Sequence, residues 1–385
     1  MSVVTVAFVS LSNPLSSTTY LCVMIRQIII ENYKSIREVT IDLAPINVLI
    51  GANGAGKSNL ISFFELLSAL YNQRLQSHVL QRGGVGRLLH NGLKGSDIIR
   101  GVFNFSNRNA FGFMLMPTDV GGALVSTWDL FNNRHSSEMD YNTWHLALWD
   151  KDVLESQIRE NKTWRAGYLK EFLESFTVYH FHDTSRTSAM RQSCDIEDNR
   201  YLRDDASNLP AFLYRLQQTG PRAFTLIEQT IQSIAPYFKR FSLAPSSLAP
   251  NQISLVWEEQ NSDMYLDAQS LSDGTLRFIA LTTLLLQPNP PKTIVIDEPE
   301  LGLHPAAIEK LAALVRVTSH KSQVIIATQS TSFVSCFEPE DIVVVERKEG
   351  GSTAFARPDK ERLASWLEDY SLGELWEKNL IGGKP

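Results

Sequence analysis

The chain has 385 residues, 43% of them hydrophobic and 20% charged, so it can bury a sizeable core and has no low-complexity tract. A formal net charge of −6 gives no broad footprint for non-specific nucleic-acid binding, and no apolar run is long enough to cross a bilayer. The three cysteines, Cys22, Cys194 and Cys336, form no CxxC pair; they fit inert thiols in a reducing cytoplasm and argue against zinc held by cysteine pairs.

Residues 1–23 lack the charged start and long apolar centre of a secretory signal. They are expected to be a disordered leader or to lie upstream of the functional protein, because the first patterned strand begins at Met24. The apolar run Ile46-Asn47-Val48-Leu49-Ile50 reads as a strand, then comes a glycine-rich loop, and helical periodicity follows over 59–70. A polar, glycine-marked stretch occupies 72–96. Alternating runs at 98–105, 110–116 and 123–130 predict an antiparallel sheet. Helical periodicity over 152–176 includes no sustained heptads, which excludes an extended coiled coil. A strand over 177–182 leads through a polar loop to helices over 209–218 and 222–238, and Pro245, Pro250 and Asn251 mark the next break. An apolar helix over 278–286 precedes strands at 293–296 and 323–328.

Two distant stretches carry the chemistry. Gly51-Ala52-Asn53-Gly54-Ala55-Gly56-Lys57-Ser58 places a Gly, four free positions and Gly-Lys-Ser between a strand and a helix, the context of a phosphate loop. Backbone N–H groups can wrap a triphosphate only where no Cβ intervenes, hence Gly51, Gly54 and Gly56, and a helix starting near Lys57 aims its positive end at the same anion. Lys57 is expected on the β/γ oxygens and the Ser58 hydroxyl on Mg²⁺, with Asn53, Ala55 and Asn59 completing the loop. In Thr293-Ile294-Val295-Ile296-Asp297-Glu298-Pro299-Glu300, an apolar run delivers carboxylates at its end, the form of a buried parallel strand. Asp297 is expected to hold Mg²⁺ and Glu298 to deprotonate the attacking water.

Between these lies Leu271-Ser272-Asp273-Gly274-Thr275-Leu276-Arg277. By itself it is either an N-cap before a core helix or a second anion site formed by Ser272 and the Gly274 N–H. In this order along the chain it resembles the signature sequence of ABC-type ATPases, with Asp273 and Thr275 replacing a Gly and the Gln of the transporter form. The Ser-Asp-Gly-Thr variant resembles the RecF, SMC and OLD-nuclease group. Met24 to Ile36 is similar to the opening strand and turn of those heads, and Glu300-Leu301-Gly302-Leu303-His304-Pro305 to their segment after the acidic strand. Asp204-Asp205-Ala206-Ser207-Asn208-Leu209, Leu372-Gly373-Glu374-Leu375-Trp376 and Gly382-Gly383 resemble a predicted-ATPase branch often encoded in bacterial phage-defence loci.

The resemblance implies an α/β P-loop NTPase of ABC/RecF-like type, a mixed sheet with flanking helices, an antiparallel β subdomain and a mixed α/β insertion. The ATPase head would comprise 24–106 and 251–346, with an inserted lobe at 107–250 and a tail at 347–385 packing on the head. It implies ATP and Mg²⁺, a homodimer, and Ser272, Asp273, Gly274 and Thr275 closing on the γ-phosphate held by a second subunit. Gln329 stands where relatives place a switch His; it can donate a hydrogen bond but cannot titrate. His304 is either a capping residue or a link between the two sites.

No acidic nuclease region follows Ser330, so nuclease work would belong to a separate effector. The expected function is an ATP-driven switch or motor in a phage-defence or DNA-maintenance complex. The alternatives are a scaffold locked by ATP with incidental turnover, and a RecF-like DNA-repair clamp. Lys34, Arg37, Arg82, Arg87, Lys239 and Arg240 are the DNA-binding candidates, against their reading as solvated surface. His180 and His182 share a strand face beside Asp183 and are either a polar strand end or part of a metal site lacking further ligands. Trp128, Trp144, Trp149 and Trp164 are read as core packing, or a protein-contact face where exposed.

Overall fold

The strand that feeds the glycine-rich loop is buried along its whole length, which only a strand covered on both faces can be. The computed structural model describes residues 23–107, 109–132 and 144–384, and the expected leader falls outside them apart from Val23. In chain order, β1 (Ile25–Tyr33) and β2 (Ile36–Asp42) form a hairpin, and β3 (Ile46–Ile50) runs into α1 (Lys57–Tyr71) and α2 (Leu75–Gln81). Next come β4 (Ile99–Phe105), β5 (Ala110–Pro117), β6 (Ala123–Asn132), β7 (Trp144–Val153), α3 (Trp164–Leu173) and β8 (Thr177–Tyr179). A short β9 (Cys194–Asp195) precedes α4 (Leu209–Thr219), α5 (Pro221–Ile234), β10 (Phe238–Phe241), β11 (Gln252–Ile253), β12 (Val256–Glu259) and β13 (Tyr265–Asp267). The chain closes with α6 (Asp273–Leu286), β14 (Thr293–Asp297), α7 (Pro305–Thr318), β15 (Gln323–Ala327), α8 (Thr331–Val334), β16 (Ile342–Arg347), β17 (Thr353–Ala356), α9 (Lys360–Leu363) and α10 (Leu372–Glu377).

The central sheet has the order β17-β16-β3-β15-β14-β8, parallel throughout except for β17 at one edge. Successive side chains pack on opposite faces: Val48, Ile50, Ile294, Ile296, Val324 and Ile326 meet the helices α4 to α8 and α10, whereas Leu49, Val295, Ile325 and Ala327 meet α1. Beyond α1 lies the antiparallel sheet β2-β1-β4-β5-β6-β7. Because α1 is wedged between two sheets, it is buried nearly all round instead of along one stripe. Its Phe63 packs against the rings of Tyr33, Phe103 and Phe113, and Phe64 reaches Phe176. Gly101 in β4 makes room for this cluster; a Cβ there would lie 2.5 Å from the Phe113 ring and 2.6 Å from that of Phe63.

Three elements differ from the sequence reading. The polar stretch at 72–96 contains α2, whose first N–H groups are capped from about eighty residues away: Leu75 N and Gln76 N donate to the Glu155 carboxylate at 2.9 and 3.0 Å. The helix expected over 152–176 shortens to α3, because β7 extends to Val153 and the following turn is organised by Asp150. That carboxylate accepts from Thr127 Oγ1 and Ser156 Oγ at 2.6 Å and from Gln157 N at 3.0 Å. The stretch expected as an inserted lobe over 107–250 contributes strands to both large sheets: β5 to β7 continue the sheet of β1 and β4, and β8 forms an edge of the central sheet. Among the described residues, no helix is long and apolar enough to cross a membrane.

Phe63 is fully buried and fastens α1 to the antiparallel sheet, so Phe63→Ala should cost about 3–5 kcal/mol in urea unfolding. Val317→Ala, at a side chain 61% exposed on α7, should stay within about 0.5 kcal/mol of wild type.

Candidate functional site

In parallel register, Asp297 lies beside Ala327 and Ala327 beside Leu49, so three chain crossings end at one edge of the central sheet. Such a carboxyl edge is where open α/β sheets bind ligands. A cavity of 260 Å³ there is lined by Asn53, Gly54, Gly56, Lys57, Ser58 and Asn59 from the loop and by Asp297, Glu298 and Gln329 from the neighbouring strands. Gly51 and Ala55 belong to the same loop but are buried behind that wall.

Close approach dictates two of the glycines. Gly51 has φ +154°, and a Cβ there would lie 2.2 Å from the Val345 carbonyl oxygen of β16. Gly56 has φ +120°, and its Cβ would lie 2.3 Å from Thr353 Oγ1. Helix α1 starts at Lys57 without a side-chain cap, leaving N–H groups at its first turn for an anion. Lys57 is buried and folds over its own loop, donating to the Gly51 and Ala52 carbonyls at 2.5 and 3.3 Å. Burial pushes its pKa down, and the carboxylates of Glu298, Asp297 and Glu300 pull it back up.

The loop is laced to the rest of the sheet. Asn59 Nδ2 donates to Ser35 Oγ at 2.6 Å, Ser35 Oγ lies 2.6 Å from Thr353 Oγ1, and Thr353 Oγ1 donates to the Ala55 carbonyl at 2.9 Å. Ser35 and Thr353 were missed as site residues. Ser35 sits in the Tyr33-Lys34-Ser35 turn, whose resemblance to nucleotide-binding heads was the available signal; nothing local marks Thr353.

Glu298 adopts a left-handed conformation with φ +42°, held by its N–H bond to the Ala327 carbonyl at 2.8 Å. Its Oε1 accepts from Gln329 Nε2 at 2.8 Å. Burial and the neighbouring Glu298 raise the pKa of Asp297, opposed by His180, His182 and Lys57. Glu300 points into the protein, accepts from Thr328 Oγ1, and has its pKa raised by burial.

Ser272, Asp273, Gly274 and Thr275 do not line this cavity. Ser272 caps α6 by accepting from Thr275 N at 3.2 Å, Asp273 pairs with Arg191 at 2.7 Å, and Thr275 Oγ1 lies 2.8 Å from the Tyr237 hydroxyl. Both Ser272 and Asp273 are exposed. The two regions nevertheless touch: a Cβ on Gly274 would lie 2.6 Å from the Gly302 carbonyl oxygen, just after the acidic strand. His304 caps α7, its Nδ1 accepting from Ala306 N at 3.4 Å.

The remaining candidates divide. Of the six basic residues, Arg82 pairs with Glu65, Lys239 and Arg240 both pair with Glu258, and Lys34 Nζ donates to Ser62 Oγ, whereas Arg37 and Arg87 are exposed. Asn208 fixes the loop before α4, donating to the Asp198 and Tyr201 carbonyls and accepting from Arg203 N. Trp164 is exposed; the Trp144 side chain lies outside the described residues. Asp183 is exposed and bonded to Ser185, away from any ligand set, whereas His180 and His182 stand beside Asp297.

Residues 46–335 match the family model described as "AAA domain, putative AbiEii toxin, Type IV TA system". Among solved structures, the chain is similar to an Smc head bound to the C-winged helix domain of ScpA, at 15% identity and a TM-score of 0.53, over 89% of this chain and 99% of that one. It is also similar to the Smc head domain with an extended coiled coil from Pyrococcus furiosus, bound to the C-terminal domain of ScpA, at 13% identity and a TM-score of 0.54, over 90% and 99%. At these identities the likeness is one of fold. No curated protein matches the chain.

Thr353→Val removes the hydroxyl between Ser35 and the loop while keeping the shape, and should cost about 1–3 kcal/mol in denaturant unfolding. The raised Glu300 carboxyl makes a pH prediction. Its protonated form is the one the fold accommodates, so its contribution to stability falls as pH rises from the ordinary Glu value of 4.5 through its raised value. In chelator and without nucleotide, Glu300→Gln should melt above wild type at pH 8, and the gap should narrow at pH 5.

Proposed function

The chain belongs to this AAA-domain family, and on that premise we propose that it binds Mg-ATP at the carboxyl edge of the central sheet, hydrolyses it, and uses the cycle as a dimerisation switch. One observation carries the reading: residues of the glycine-rich loop from Ala52 onward, Asp297, Glu298 and Gln329, separated by up to 277 positions in the sequence, line one 260 Å³ cavity. The N–H groups of Asn53 to Ser58 and the start of α1 would hold the phosphates, and Lys57 would turn from its loop carbonyls to the β/γ oxygens. Ser58 and Asp297 would hold Mg²⁺; a hydroxyl and a carboxylate on one wall are the hard oxygen donors that ion takes, and when bound it would neutralise phosphate charge.

In the chemical step an oxygen of water attacks the γ-phosphorus. Its proton passes to the Glu298 carboxylate, and the bond to the β–γ bridging oxygen breaks to leave ADP. Gln329, hydrogen-bonded to Glu298, orients both the carboxylate and the water. The Ser272-Asp273-Gly274-Thr275 corner, exposed at Ser272 and Asp273, supports a head-to-tail dimer in which it covers the γ-phosphate of the other copy. ATP then stabilises the dimer because both chains contact it, and loss of the γ-phosphate releases them.

The defence or DNA-maintenance role rests on resemblance, and the solved Smc heads with bound ScpA domains support a separate protein effector docking on the head. The internal ion pairing of three of the six candidate basic residues favours a protein partner over DNA.

Lys57→Ala should weaken Mg-ATP binding at least about tenfold by calorimetry. Glu298→Gln should bind ATP normally, lose about 10²- to 10⁴-fold in single-turnover hydrolysis, and accumulate as a dimer in light scattering. Equal hydrolysis by wild type and Glu298→Gln would remove Glu298 as the base and leave the ATP-locked scaffold.

A further inference from the structure

His180 and His182 follow β8, and alternation in extended chain puts both imidazoles on one side. Their rings lie 6.0 Å apart, centre to centre. The third group arrives from a different part of the chain: one ligand atom each from His180, His182 and Asp297 lie within 4.8 Å of one another. All three side chains are half-buried, which leaves one side of the cluster open.

We infer that His180, His182 and Asp297 form a three-donor site for a borderline divalent transition metal at the rim of the nucleotide cavity. Two imidazoles and one carboxylate are a poor match for Mg²⁺, which takes oxygen donors and keeps its waters, and a good match for zinc-like ions, which bind three protein ligands and leave a position open. Asp297 is also the carboxylate given to Mg²⁺ above, and its two oxygens would serve one ion each; the assignment rests on this juxtaposition and stands whether or not ATP is the nucleotide.

The surroundings hold the donors in place. Glu65 Oε1 lies 3.1 Å from His180 Nε2, and a carboxylate on one ring nitrogen is the usual way a ligating imidazole is oriented through the other. Glu65 is itself fixed by Arg82 at 2.6 Å. The His180 N–H donates to the Asp204 carbonyl at 2.9 Å, and the buried Arg277 donates to the Phe181 and His182 carbonyls at 2.7 and 2.8 Å. Among the described residues, no hydrogen bond engages the His182 ring. A histidine pair serving only as a polar strand end has no need of this backbone clamping or of a carboxylate partner for one ring.

The test uses the full chain, purified with a histidine-free tag and stripped of metal, titrated with Co²⁺ alone and followed through its visible d–d absorption. One Co²⁺ per chain should bind, be displaced by equimolar Zn²⁺, and resist Mg²⁺ in large excess. His180→Gln and His182→Gln should each weaken Co²⁺ binding at least about tenfold, and Glu65→Gln, a positioning residue, about 10- to 100-fold, with unchanged melting temperatures. His320→Gln, on an exposed residue elsewhere, should bind as wild type. Absence of saturable absorption, binding that survives His182→Gln, or displacement by equimolar Mg²⁺ would each overturn the assignment. Calorimetry with Mg-ATP on the wild-type chain separates the two readings: ATP binding by a wild-type protein that takes up no Co²⁺ ends the metal site alone.

Discussion

Burial of the central sheet on both faces is the constraint from which the site follows. Strands covered on each side have no place for charge along their length, so the charged groups they carry are pushed to their ends. Four parallel strands, β3, β14, β15 and β8, end at the same edge, and the first one or two residues past each include Gly51, Glu298, Gln329 and His180. Chemistry is concentrated there because the core excludes it elsewhere.

That edge is made rigid from outside the motifs. The phosphate loop is pinned beneath by Val345 of β16 and sideways by Thr353 of β17, and the β1–β2 turn ties to both through Ser35. Preorganisation of this kind matters for an anion site, since loop N–H groups must already point inward when charge arrives. The aromatic wedge on α1 serves the same end one layer further out. With Phe63 and Phe64 locked between two sheets, the start of α1 has little freedom to swing.

What the sequence made legible was whatever local pattern determines. The strand, loop and helix around Gly51 to Ser58 and the acidic strand ending at Asp297 each rest on residues within one turn or one strand, and each lies where it was read. Helix α2 escaped because Leu75 and Val79 are its only buried side chains and its cap is Glu155. Thr353 escaped because its importance lies in contacts to Ser35 and Ala55, both about 300 positions away. The histidines were noticed with the wrong carboxylate: Asp183 is adjacent in sequence, but Asp297 is adjacent in space.

Arg277 has a mechanical consequence. Its guanidinium is rooted in α6, three positions past Gly274, and grips the successive carbonyls of Phe181 and His182. Any rotation of α6 must therefore break these two hydrogen bonds, one buried and one part-buried, or drag that stretch of backbone along. A body leaning on the exposed corner at Ser272 would thus apply torque to the far rim of the cavity through a single rigid crank.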